Sequence, residues 1–153
     1  MMRMAFRKFV SGLLVFGFGA LAPLYAEARE KMGTAETISV PALVGANEAE
    51  TAQQLGQASR CEPSKYGRKC VYKAEAVEIM FINGAADWFT VTPKNAAYLP
   101  SSLGQLGLPT DSAPASSTQY AMRWLGLAGL REVTAFPDGS GNVNYFYIKA
   151  RIE

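Results

Sequence analysis

The chain has 153 residues, with 15 basic and 13 acidic side chains, two cysteines and no histidine. Without histidine the usual general base, zinc ligand and triad partner is missing, so any acid–base chemistry would fall to carboxylates or lysines. The length suits one domain with a real core rather than two independent ones.

Arg3, Arg7 and Lys8 make a basic start, Phe9 to Leu21 is an apolar run, and Ala26-Glu27-Ala28 places small residues where a signal peptidase cuts. That order reads as a cleavable signal peptide over residues 1–28. The earlier triplet Ala20-Leu21-Ala22 is followed by Pro23, which disfavours cleavage there. The apolar run falls short of the roughly 20 residues of a spanning helix, and no cysteine stands at the cut to carry a lipid. No membrane anchor is therefore expected after cleavage, and the expected location is the periplasm or the exterior.

Removing Arg3, Arg7, Lys8 and Glu27 leaves 12 basic and 12 acidic side chains. A neutral product lacks the field that displaces counterions from phosphates, which argues against nucleic acid as a partner. In an oxidising compartment Cys61 and Cys70 are expected to form a disulfide, with Pro63 and Gly67 turning the ring. Their spacing is not C-x-x-C, so a metal or redox pair is poorly supported, and no metal or cofactor is expected.

Residues 29–40 are polar without a period and read as a flexible lead-in. Asn47 with Glu50 three residues on, helix formers to Leu55 and then Gly56 predict a short capped helix. Val71 to Lys73 and then Val77–Ile82, Asn83-Gly84 and Asp87–Thr92 predict strands, the last two as an Asn-Gly hairpin. Leu99–Leu106 reads as a second helical turn opened by Pro100. Residues 111–117 form a loop, and strands follow at Thr118–Trp124, Arg131–Phe136 and Val143–Ala150. The expected architecture is an α+β single domain over 41–151, an antiparallel sheet with short helices on one face.

Two halves, 41–93 and 94–151, can be aligned as tandem helix-plus-strands repeats. Leu55-Gly56 matches Leu106-Gly107, Tyr72 matches Trp124, and Phe81-Ile-Asn-Gly84 matches Phe136-Pro-Asp-Gly139. The pattern Leu-Gly-x-Pro, an aromatic first strand and Phe-x-x-Gly resembles the β-lactamase-inhibitor-protein (BLIP-like) fold and the SmpA/OmlA-type outer-membrane assembly lipoproteins. Leu106-Gly107-Leu108-Pro109 fits its first element, whereas Ala58 replaces the proline in the first copy. The resemblance implies a partner protein bound over an open sheet face, and a cysteine pair between helix and first strand as in the inhibitor's first half. The missing lipidation cysteine departs from the lipoprotein pattern.

No catalytic constellation emerges, and the chain is not expected to be an enzyme. Asp138-Gly-Ser140-Gly-Asn142 has calcium-loop spacing at its start, but Val143 and Lys149 then occupy the glycine and glutamate positions, so a hairpin turn explains it better. In the last strand Phe146 and Ile148 point one way while Tyr145 and Tyr147 point the other. With only two short helices to cover the sheet, one face is expected to remain open, carrying Tyr145, Tyr147, Tyr120, Trp124 and Trp88 as a protein-binding surface. The basic ring Lys65 to Lys69 would add a rim contact. The expected role is an inhibitor or an envelope assembly factor whose partner is another protein of the envelope or exterior. The alternatives are a small enzyme or ligand binder using Glu78 and Asp87, placed diagonally on one face if residue 80 pairs with 87, and a structural envelope component without a discrete site.

Overall fold

The computed structural model describes residues 36–150; the expected signal peptide and residues 29–35 of the expected lead-in lie outside them. From residue 36 the chain is tied down, against the expectation of a flexible lead-in to residue 40. Ile38 donates its N–H to the Gln105 carbonyl at 2.9 Å, and Glu36 pairs with Lys73 at 2.8 Å.

Helix α1 is a single turn, Val40–Leu43, and α2 spans Glu48–Leu55. A reciprocal capping box starts α2: Glu50 N–H donates to Asn47 Oδ1 at 3.0 Å and Asn47 N–H donates to Glu50 Oε2 at 2.9 Å. Gly56, at φ 85°, ends it. The expected second helical turn is a 3-10 helix, Pro100–Leu106, closed by left-handed Gly107. Leu103 and Leu106 in that helix are fully buried, as are Val40 and Leu43 of α1.

Among the described residues eight strands make one antiparallel sheet: β1 Arg60–Ser64, β2 Gly67–Tyr72, β3 Val77–Ile82, β4 Ala85–Val91, β5 Ser116–Ser117, β6 Met122–Leu125, β7 Glu132–Pro137 and β8 Val143–Lys149. Their spatial order is β1-β2-β3-β4-β8-β7-β6-β5. Each group of four follows the chain as a meander, and the two groups meet where β4 pairs with β8, Phe89 opposite Ile148 and Thr90 opposite Tyr147. Strand alternation sends Ile79, Phe81, Phe89, Phe146 and Ile148 into one core with the helical leucines. Burial of each such side chain stabilises the fold by about 1.5–3 kcal/mol.

The disulfide joins Cys61 and Cys70, and the ring it closes is itself a hairpin, since the two cysteines are directly opposed in β1 and β2. Sequence reading treated this ring as a loop because its charged residues, Pro63 and Gly67 mask any alternation. Both outer strands are blunted: β1 carries Pro63 after the charged Arg60 and Glu62, and β5 is only two residues long.

One backbone position is sterically closed. Gly67 stands at φ 151°, and a Cβ there would strike the Phe81 carbonyl of the neighbouring strand. Gly139, at φ 85°, has open space around it. Gly67→Ala is therefore expected to destabilise the fold by about 2 kcal/mol or more, and Gly139→Ala by about 1 kcal/mol. Thermal unfolding of the two variants checks the ranking.

Candidate functional site

With the described helices packed on one face, the other face of the sheet is the candidate site. Among the described residues no helix covers it. Its register differs from a strict two-residue hairpin, because a bulge at Met80/Phe81 places Met80 opposite Trp88 and Glu78 opposite Thr90. Asp87 becomes the extra residue of β4, and its carbonyl accepts the Ala150 N–H at 2.9 Å. An added residue on one strand is what a bulge supplies, and it restores the alternation beyond it.

Trp88 consequently lies on the open face, opposite Lys149 of β8. Tyr66, at the turn of the disulfide-bonded hairpin, packs edge-on against it with centroids 4.8 Å apart. Tyr145 and Tyr147 project from the same side as expected, and Tyr145 stacks on Phe136 at 4.7 Å. Lys149 Nζ sits 5.5 Å from the Tyr147 ring centroid and Lys65 Nζ 4.6 Å from that of Tyr66. Burial first, and then the nearby Glu132, raise the Tyr147 phenol above its ordinary value, so it stays an un-ionised O–H at neutral pH.

Against the expectation of a ring on the open face, Trp124 is 2% exposed and belongs to the core. The expected strand from Thr118 begins only at Met122, because Thr118 to Ala121 form a turn in which Thr118 Oγ1 accepts the N–H groups of Tyr120 and Ala121, each at 3.1 Å. From Met122 onward the alternation buries Met122 and Trp124 and exposes Arg123 and Leu125. The Trp124 indole N–H finds the Ser112 carbonyl at 3.0 Å. Tyr120, 73% exposed, stands in the turn beside the open face.

Beneath that turn lies a hollow of about 370 Å³, lined by Arg123, Glu132, Thr134, Phe136, Tyr147 and Lys149 among others. Arg123 pairs with Glu132 at 3.3 Å, and Thr134 Oγ1 donates to the same carboxylate at 3.0 Å. A second hollow, about 720 Å³, lies between α2 and the β1–β2 hairpin. Glu48 approaches the cysteine sulfurs there, but those sulfurs are bonded to each other and are not free as ligands.

The alternative carboxylate pair loses the register assumed for it, because Met80 pairs with Trp88 rather than with Asp87. Glu78 is held by Lys69, which also pairs with Glu62 at 3.1 Å. Burial raises the Asp87 carboxyl above the ordinary 3.8, against the smaller lowering influence of Arg131. Its Oδ1 is buried without a hydrogen-bond partner among the described residues. Asp138 is consumed by its own turn, accepting from the Ser140 N–H at 2.7 Å and the Asn142 N–H at 3.2 Å; the Ser140 backbone contact is the main cause that lowers its carboxyl below 3.8. The hairpin reading of that segment holds.

Sequence reasoning missed two members of the face, Phe136 as an outward ring and Tyr66 as the neighbour of Trp88. The second was accessible in principle: opposing Cys61 to Cys70 as strand partners leaves Lys65 and Tyr66 as the hairpin turn.

No family model matches the chain, and no curated protein does. A solved structure is similar to it: an extracellular protein containing a SCP domain from Bacillus anthracis str. Ames, with a TM-score of 0.53 and 12% identity over 78% of this chain and 48% of that one. At that identity the likeness concerns the fold alone, and the chain spans about half the length of that neighbour. No described helix is long and apolar enough to cross a membrane.

Two outcomes follow from this geometry. A raised carboxyl in the folded state contributes stability that is present at low pH and lost as pH rises through its folded value. Asp87→Asn is thus expected to raise the melting temperature at pH 7, with the advantage vanishing below pH 3.8; an NMR titration should show Asp87 titrating above Asp138. Replacing both cysteines by serine is expected to loosen Tyr66 from Trp88 and increase acrylamide quenching of one tryptophan, while buried Trp124 stays shielded.

Proposed function

We propose that the chain is an exported protein-binding module, periplasmic or secreted, that engages a partner protein across the open face through Trp88, Tyr145 and Tyr147, with Tyr120 at the rim. The observation that carries this reading is the set of aromatic rings on a sheet face to which no described helix is packed. Such rings bury large area at small entropic cost and keep a polar tip. The disulfide fits an oxidising compartment, and the extracellular character of the structural neighbour agrees with it. No catalytic step is assigned: of the alternative pair, Glu78 is engaged by Lys69 and Asp87 lies at the bulge rather than opposite Met80.

Residues 41–93 and 94–151 are read as two copies of a BLIP-like unit, serving as an inhibitor or an envelope assembly factor. The mirrored strand order supports this, as do Gly56 and Gly107, each ending a helix at positive φ. Tyr72 and Trp124 are both buried in the second strand of their half. Phe81 and Phe136 are the weaker match, one in the core and the other on the open face.

A second reading, a small-ligand binder, rests on the hollow of about 370 Å³, which falls among the volumes of small-molecule sites. The two separate on Tyr145→Ala/Tyr147→Ala in the chain beginning at Arg29. With circular dichroism unchanged, cross-linked capture of an exported partner should weaken about 30-fold, corresponding to a loss of about 2 kcal/mol. Undiminished capture overturns the protein-binding reading.

A further inference from the structure

The open face has an uneven charge pattern. At the β1–β3 side Lys69 is shared between Glu62 and Glu78, and Arg60 is held by Glu75. Around the rings the balance differs: Lys65 and Lys149 rest on tyrosine rings, and neither forms an ion pair among the described residues. The hollow beside them holds the cations Arg123 and Lys149 against one carboxylate, Glu132. Glu132 is already occupied by Arg123 and by the Thr134 hydroxyl, and its side chain is only 18% exposed. The un-ionised Tyr147 hydroxyl adds a donor at the same place. Asp87 also acts on Tyr147 but does not line the hollow, so its lining supplies no unengaged anion to answer Lys149.

We propose that the occupant of this face is a loop of a partner protein bearing an acidic side chain, whose carboxylate enters the hollow between Arg123 and Lys149 while its apolar neighbours lie on Tyr147 and Trp88. This rests on the protein-binding reading and specifies the partner's chemistry. Complementary charge of this kind sets orientation and association rate as well as affinity. An extended polyanion is a poorer occupant, because the chain without residues 1–28 has 12 basic and 12 acidic side chains and supplies no continuous basic field.

The test uses a displayed library of disulfide-closed peptide loops selected on the immobilised chain beginning at Arg29. Enriched loops are expected to carry an excess of Asp and Glu and to compete with one another. They should bind about tenfold more weakly to Lys149→Glu, and more weakly still when Lys65→Glu is added or salt is raised. Lys94→Glu, whose lysine lines a different depression, should bind as the parent does. Loops that require Tyr147 and Trp88 but are neutral or basic would overturn the acidic occupant and leave the protein-binding reading standing. An equal loss in Lys94→Glu would reduce the effect to bulk charge and overturn it as well. Loops indifferent to Tyr147→Ala and Trp88→Ala, or no enrichment over an unrelated exported protein, would overturn both.

Discussion

The pairing of β4 with β8 is the contact on which the rest of the molecule depends. Each strand closes a meander of four, and their ladder turns two four-stranded pieces into one eight-stranded sheet with one core. On the core side it sets Phe89 against Ile148; on the open side it sets Trp88 against Lys149 and Thr90 against Tyr147. The rings of the candidate site therefore come from both halves of the chain, and neither half contains the surface by itself.

The bulge in β4 keeps that seam useful. Had β3 and β4 paired as a strict hairpin, Asp87 would stand opposite Met80 on the open face and Trp88 would turn toward the helices. The extra residue shifts Trp88 outward and leaves Asp87 with a half-buried carboxylate. An indole on the open face is thus coupled to an ionisable group in a poor environment, a local cost of the sort that functional surfaces carry.

Most of the regular structure was legible because its signals are local. The capping box at Asn47, the Asn83-Gly84 turn and the alternation of Tyr145 and Tyr147 against Phe146 and Ile148 each follow from a few neighbouring residues. What escaped depends on partners distant in sequence or on a shift of one residue. Trp124 changed face because Thr118 uses its hydroxyl to hold a turn, shortening the strand. Asp87 changed role because of the bulge, which no turn signal announces. The β1–β2 hairpin was hidden by a strand whose residues, Arg-Cys-Glu-Pro-Ser, are mostly poor strand formers stapled in place by the disulfide.

The blunted outer strands bear on geometry of approach. Pro63 offers no N–H and follows the charged Glu62, while the opposite border ends in two serines. A visiting chain thus finds little ladder to extend at either border, and copies of this sheet have little to add onto in series. Contact has to come from above, ring against side chain rather than backbone against backbone. On the proposed binding reading, selectivity resides in the shape and charge of what descends on the face, and many copies of the sheet can be crowded together without stacking into fibres.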